Sequence, residues 1–554
     1  MKSKIQLIVV SLLLVAGLSF AGTITIPPDR LGPWAGNVGI PGGIPNRTTI
    51  YTTLSPLGGG QDDAPQIKAA VAACPAGQVV KLSPGTFEIA STVNNGSKSN
   101  VTLRGSGQGV TIAHVAASVN IPFYTSGIEP WPPLQTGPTV TAGATRGSTT
   151  ITVNDTSAFV VSNLFNICPS TPVWAHYLGG NPDTDRGMGV LVRLVSKTAT
   201  TLTFDPPIPF DYSTMAGTVI AIPWPGDAGA GFHPATMFGY ESFTIDMNDT
   251  QGNWAIEIGD AYACWVYDME IEHCYTRQTY THEAVRCEFR HNYVHDARAQ
   301  GPNHEGMDFN NASWILIEDN IFNQAGAMAT IWENASNRSA GNVVSYNYII
   351  NAAPGWWDIS FNHGPHNMCN LTEGNKIQWY KDDGYFGSSS HNTIFRNRIT
   401  YQIALKHFCN YYNIVGNIIG TVGDNTVYEA TQQGVFEPAI YELGYPNIGN
   451  NSWTVPYGPT TPPDYHLLGN TLDECQQWDQ NVKATLFRTA NFDTVNNAVV
   501  YDPANPDRVI PNSMIYTVKP AWWGNTIPWP SIGPDLNPMT GTIPAEDRFL
   551  NGQP

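Results

Sequence analysis

Four short stretches gather acids, imidazoles and indoles at densities that suit chemistry: "NHEGMDFN" (303 to 310), "TIWEN" (330 to 334), "WWDISFNHGPH" (356 to 366) and "KDDGYFGSSSH" (381 to 391). Paired carboxylates are the tools of glycosidic-bond cleavage. One protonates the leaving oxygen; the other activates water across about 6.5–9.5 Å or attacks directly across about 5 Å. Glu305, Glu333 and Asp383 are the candidate acids and bases, with His363 as an imidazole among them. Asp308, Trp332, Trp356, Trp357, Asp358, His366, Asp382 and Tyr385 lie close by in sequence and are candidates to line a substrate cleft. Indoles suit stacking on pyranose rings, although packing in a core competes for the same residues. Ser388, Ser389 and Ser390 before His391 have the composition of a nucleophilic triad but lack the glycine pattern of a nucleophile elbow, and read as turn residues.

These residues are distant in sequence, so a repeating scaffold must bring them together. Aligning β-like segments on one polar residue gives Asp246, Asp268, Asn292, Asn320, Asn347, Asn375, Asn397 and Asn417, at intervals of 22, 24, 28, 27, 28, 22 and 20. Repeats of this length, with β-branched and aromatic residues around a turn-forming Asx, predict the coils of a β-solenoid. Asparagine tolerates left-handed backbone angles and bonds neighbouring backbone groups, so stacked asparagines predict a polar ladder. The three long intervals hold extra residues at one level of successive coils, where a scaffold would carry a cleft. Counting back from each ladder position, Glu305, Glu333, Phe361 and Asp383 are expected at one angular position, with His363 beside them. Coils about 4.8 Å apart would set Glu333 and Asp383 on the order of 10 Å from one another. Glu305 and Glu333, on adjacent coils, would repel and favour one protonated acid.

The rest of the chain frames this region. Residues 1–21, with Lys2 and Lys4, an apolar run from Ile5 to Ala16 and Ser19-Phe20-Ala21, read as a secretory signal, and no later apolar run is long enough to span a bilayer. Export, extracellular or periplasmic, is the expectation. Residues 22–132 are expected to hold a short capping helix, with Asp62 or Asp63 at its N-terminus and Ile67, Val71 and Cys74 on its apolar face, and the first coils. A β-rich insertion is expected over 133–223, the central solenoid with its cleft over 224–423, and a tail rich in Pro and Trp over 424–554. The 52 Gly, 42 Pro and 13% charged residues fit many turns and few solvated helices, and a net charge of -18 argues against nucleic acid as a partner. Eight scattered cysteines contain no CxxC; Cys264 with Cys274 or Cys287 is a possible disulfide, and buried thiols are the competing reading.

"GQDDAPQIKAAVAACPAGQVVKLSPGTFEI" followed by "NVTLRGSGQGVTI" resembles the opening of the pectate-lyase superfamily, the pectin-lyase-like proteins with polygalacturonase and rhamnogalacturonase relatives. The resemblance implies an all-β, right-handed parallel β-helix and activity on extracellular polysaccharide. Its catalytic motifs are not matched: no Asn-Thr-Asp or Arg-Ile-Lys occurs, and "NHGPH" only loosely resembles Gly-His-Gly. Three functions stay open. An inverting glycoside hydrolase, which needs no cofactor, is favoured by the run of acids. A polysaccharide lyase would neutralise a uronate with calcium or arginine and use Lys381, His363 or Tyr385 as base. A non-catalytic carbohydrate-binding protein is the third. Oligomeric state and metal binding are not legible.

Overall fold

A computed structural model of the 554-residue chain describes residues 22–126, 136–170, 187–215, 217–224, 233–249, 252, 254–275, 277–298, 306–326, 329–333, 338–352, 357–364, 366–383, 388–430, 438–445 and 478–552. Of these, 329, 330, 332 and 333 are described through the backbone alone. The expected signal lies outside this set.

The chain winds as a parallel β-solenoid of about 11 turns. Each central coil lays one strand on each of three sides. Side one carries Trp265–Tyr267, Glu288–Arg290, Leu316–Glu318, Val343–Ser345, Leu371–Glu373 and Thr393–Phe395 in parallel register. Side two carries Thr244–Asp246, Glu270–Glu272, Tyr293–His295, Ile321–Asn323 and Tyr348–Ile350. On side three lie Trp254–Tyr262, Arg277–Val285, Met307–Asn310, Ala329–Glu333, Trp357–Ser360 and the later part of Lys376–Asp382. Side chains alternate across a strand. Ile256, Ile258, Phe309, Ile331, Ile359, Phe361, Tyr380, Ile403 and Leu405 therefore point inward to one continuous core.

The corner between sides one and two holds the asparagine ladder. The side-chain oxygens of Asn292, Asn320, Asn347, Asn375, Asn397, Asn417 and Asn491 each accept the backbone N–H of the residue one coil earlier at 2.9–3.0 Å. Their amides in turn donate to carbonyls of earlier coils, as Asn347 does to Ile317. Buried polar groups are thus satisfied where strands cannot pair them. Asp246 and Asp268 are corrected out of this ladder: Met269 occupies the position facing Asn292, and Asp246 ends a strand of side two. A second ladder, unread in the sequence, runs through Asn342, Asn370 and Asn392 at the corner entering side one.

The helix Ala64–Ala73 buries Ile67 and Val71, with the neighbouring Cys74, in the main core. A six-stranded antiparallel sheet lies between Val140 and Pro223. Ile151, Phe165, Val190, Val192 and Phe204 of that sheet share a second core with Trp314, Met368 and Leu371 of the solenoid. The tail joins the same core through Trp523, while Trp522 and Trp529 are partly buried against it. The Arg396 guanidinium holds the tail by donating to the carbonyls of Pro511, Ile510 and Ile532 and, through both terminal nitrogens, to Asp535 at 2.8 Å. Every described cysteine is buried and unbridged, so the Cys264 pairing with Cys274 or Cys287 is corrected to free buried thiols at the corners between strands. Among the described residues no helix is long and apolar enough to cross a membrane.

Arg396 is buried while Asp535 is exposed, so its removal chiefly leaves the carbonyls of Ile510, Pro511 and Ile532 without their donor. Arg396→Met is expected to lower unfolding free energy by about 1–3 kcal/mol in denaturant titration and to open residues 502–552 to limited proteolysis.

Candidate functional site

Register along side three defines the rows that face outward. Tyr124 pairs with Glu257, Glu257 with Tyr280, Tyr280 with Asp308, Asp308 with Trp332 and Trp332 with Ser360. Ile359 pairs with Tyr380, so the same ladder sets Ser360 beside Lys381, and Lys381 pairs with Ala404, which pairs with Glu442. A second outward row runs through Gly259, His282 and Asn310. Polar and aromatic groups from residues more than 300 apart in sequence thus occupy one face.

Equal counting from the ladder asparagines does not survive this register. Glu333 pairs with Phe309, not with a residue at the level of Glu305. Asp382, not Asp383, is the neighbour of Phe361, whose N–H donates to the Asp382 carboxylate at 2.6 Å. Hydrogen bonds fix strands to one another, whereas turn length varies freely between strand and ladder, so a count through a turn accumulates error. Glu305, Trp356 and Tyr385 lie outside the described residues; Trp332 and Glu333 are placed by backbone alone.

The structure does bring His363 and Asp383 together, Nδ1 to carboxylate at 2.6 Å. Asp383 sits beside Asn362, whose carbonyl accepts its N–H at 3.2 Å. Around this pair stand two lysines. Lys381 places its ammonium 3.9 Å from the centre of the Trp357 ring, a cation–π contact. Burial, reinforced by the positive charge of Lys406, lowers its pKa to about 8 against the opposing pull of Asp383 and Glu442. Lys406 is ion-paired with Glu442. Lys381 was expected as a candidate base of the lyase reading, whereas Lys406 and Glu442 were not expected at this site. Their signal is the alternation of "IQWYKDD" and "QIALKH", in which Tyr380, Asp382, Ile403 and Leu405 take the inward phase and leave the lysines outside.

Other expected residues serve the scaffold. Asp382 is fully buried and accepts hydrogen bonds from the hydroxyls of Tyr380 at 2.8 Å and Tyr412 at 2.5 Å, and burial raises its pKa to about 6. Asp358 caps the irregularity between Ile377 and Trp379 by accepting the N–H groups of Gln378 and Trp379; burial raises its pKa to about 7. His366 is held between the hydroxyls of Ser388 and Ser390, each at 2.7 Å. Asp308 is buried against Arg277 at 3.3 Å.

Further along the outward rows lies a second aromatic group. Trp254 packs on Tyr280 and Tyr280 stacks on His282, both with centroids 4.8 Å apart. His282 bonds Glu257 at 3.0 Å and also contacts Glu283. Burial opposes its charging, but the two carboxylates hold its pKa well above the ordinary imidazole value. This group was not expected from the sequence; its signal is the alternation within "WAIEIGDAY" and "RQTYTHEAV", which sets Glu257 and Tyr280 opposite in phase to Ile256 and Ile258.

No family model matches the chain, and no curated protein matches it. Among solved structures, the chain is similar to the tailspike gp61 of Pseudomonas phage phi297, at 8% identity and TM-score 0.43, over 72% of this chain and 64% of that one. The polygalacturonase of Erwinia carotovora ssp. carotovora is similar at 12% identity and TM-score 0.33, over 73% and 94%. The catalytic unit of a thermostable alpha-1,3-glucanase from Streptomyces thermodiastaticus is similar at 12% and TM-score 0.36, over 74% and 56%. The chain thus spans about two thirds of the tailspike's length. The solenoid assignment rests on the strand register given above and not on these likenesses.

Asp358 supplies a check on the local electrostatics. Its pKa is raised in the folded state, so the unfolded chain releases this proton at lower pH and stability falls as pH rises from about 4 toward 7. Asn accepts the same two N–H bonds without ionising. Asp358→Asn is expected to flatten the decline of unfolding free energy between pH 4 and 7, measured by urea titration at each pH; an unchanged curve would contradict the assignment.

Proposed function

We propose that the protein cleaves an anionic, uronate-containing extracellular polysaccharide by β-elimination on the outer face of side three. The observation that carries this reading is the position of Lys381. Its ammonium lies on the Trp357 ring with its pKa lowered to about 8, beside the His363–Asp383 pair and Lys406. An amine that is partly neutral near pH 8 can remove a proton from carbon. In elimination, Lys381 takes the C5 proton and the C5–H electron pair forms the C4–C5 double bond. The glycosidic oxygen departs with the C4–O pair and receives a proton from His363, whose imidazole Asp383 orients. Lys406 offers positive charge to the substrate carboxylate, whose neutralisation makes the C5 proton removable. The buried indole of Trp357 carries the Lys381 ammonium on its ring face and fixes its position. Export, read from residues 1–21, belongs to this proposal, as does the possibility that calcium assists in holding the uronate.

Hydrolysis is the second reading, and one observation favours it. Asp383 and Glu442 stand two coils apart on the same face, on the order of 10 Å, close to the separation an inverting pair needs. Glu442 is ion-paired with Lys406, and its place on this face fits the base of such a pair. Asp308 is three coils from Lys381, about 14 Å, and too far to share a bond with Asp383.

The test is turnover of uronate polymers, read both as near-ultraviolet absorbance of an unsaturated product and as new reducing ends. Elimination predicts both signals together, with kcat/KM rising tenfold per pH unit below about 8 and levelling above it. Lys381→Met should reduce kcat by about 10²–10⁴-fold with the melting temperature preserved. Reducing ends without the chromophore would replace elimination by hydrolysis, and full activity in Lys381→Met would remove Lys381 from the chemistry.

A further inference from the structure

Away from this face, at the corner where side two turns into side three, three successive coils bring together Asp246, Glu270, Glu272, His273 and His295. Asp246 pairs with Glu272 and Glu272 with His295, so the row is fixed by the parallel ladder itself. Within it, His295 Nε2 lies 3.3 Å from Glu270 Oε1 and 3.7 Å from Glu272 Oε2. The ligand atoms of Glu270, Glu272 and His295 all fall within 4.8 Å of one another. A tetrahedral zinc ion with ligands at about 2.0–2.1 Å has ligand-to-ligand edges of about 3.3–3.4 Å. The observed separations are close to those edges.

What surrounds these three groups points the same way. His295 Nδ1 bonds Asp296 Oδ2 at 2.8 Å, and its ring stacks on Tyr293 with centroids 4.0 Å apart. A histidine whose Nδ1–H is given to a carboxylate turns the Nε2 lone pair outward, which is the arrangement that orients a metal ligand. Here Nε2 faces two carboxylates, a place that a ring proton fills in the absence of metal and that a divalent ion would take by displacing that proton. Glu270 is oriented too: its Oε2 accepts the Thr244 hydroxyl at 2.5 Å, and the Thr244 oxygen accepts the N–H of Gly109 at 2.7 Å. This turns Oε1 toward His295. On the far side of Glu272, His273 Nδ1 bonds Asp246 Oδ1 at 2.9 Å and lies 4.0 Å from Glu272 Oε2.

We propose that Glu270, Glu272 and His295 bind a divalent first-row transition ion, zinc above all, with Asp296 and Thr244 as orienting groups. Two carboxylates and one imidazole form a charge-neutral set for a divalent ion and leave a fourth position for water. The ion would clip two adjacent coils, Glu270–Glu272 and Tyr293–His295. The site lies roughly 15–20 Å along the solenoid axis from Lys381, three to four coils away. Its role is therefore structural.

The test uses the full chain, stripped with a chelator and titrated with zinc chloride by calorimetry, with cobalt substitution as a spectroscopic readout. The expected result is one zinc per chain, a raised melting temperature, and cobalt absorption bands of tetrahedral nitrogen and oxygen coordination. His295→Ala and Glu272→Gln should each weaken binding at least 100-fold. Asp296→Asn, which keeps the size of an orienting group outside the coordination sphere, should weaken it about 10–100-fold. His114→Ala, on the same row but outside the site, should bind as the unmodified chain does. Circular dichroism of the stripped variants checks that the solenoid is retained, and the cobalt spectrum of the unmodified chain tests the ligand set without any substitution. Absence of saturable zinc binding, octahedral cobalt bands of oxygen ligands alone, or equal affinity in His295→Ala and Asp296→Asn would overturn the site.

Discussion

The hydrogen bond from each ladder asparagine to the coil before it is the constraint on which the structure depends. A parallel coil must turn at three corners, and every turn breaks the strand pairing that satisfies backbone groups elsewhere. Asn347 resolves this at its corner: its oxygen accepts the Asn320 N–H at 2.9 Å, and its amide donates to the Ile317 carbonyl at 2.9 Å. Leaving such groups buried and unpaired would cost about 1–3 kcal/mol each. Because the same residue type recurs at the same corner, each coil starts side two in phase with its neighbour. Registers on side two inherit that phase, while those on side three are set by their own strand pairing.

The rows of chemistry follow from this phase. Inward positions on side three are filled by Ile359, Phe361 and Tyr380, so polar residues one step away are forced outward. That is how Lys381, Asp383 and His363 reach one locality, and how Glu270, Glu272 and His295 reach another. Glu270, Glu272, His295 and Lys381 sit on strands, whereas Asp383 and His363 lie just beyond strand ends. The cost is electrostatic. Lys381 is held against its charged form, and His282 is held in it by carboxylates on either side.

The sequence displayed the solenoid plainly, because ladder asparagines from Asn292 to Asn417 repeat with β-branched neighbours and need no knowledge of contacts. It displayed the second ladder of Asn342, Asn370 and Asn392 less well, since only three positions carry it. Site residues were harder to read. The meeting of His363 with Asp383 was legible because both lie within one coil of the Asn375 corner. The alignment of Glu305 with Glu333 failed because turn lengths differ between the strands of side three and the following corner, and a strand ladder ignores such differences. Lys381 was legible as a candidate base, but its altered proton affinity and the approach of Lys406 were hidden by a different effect. A lysine in a strand reads as solvated surface until the residues packed over it are known, and only then does burial by Trp357 give it an altered proton affinity.

Stacking in phase is measured most directly on the outer row of side two. Glu88 pairs with His114, His114 with Asp246, Asp246 with Glu272, Glu272 with His295, His295 with Asn323 and Asn323 with Ile350. Pulsed electron resonance between genetically encoded spin labels gives the separations along this row. Coils in phase place labels at 88 and 323 about 24 Å apart, five steps of about 4.8 Å, and move the second label about 5 Å further when it is shifted to 350. Separations well beyond 35 Å, or no regular increase from 323 to 350, would mean that the coils do not stack as described.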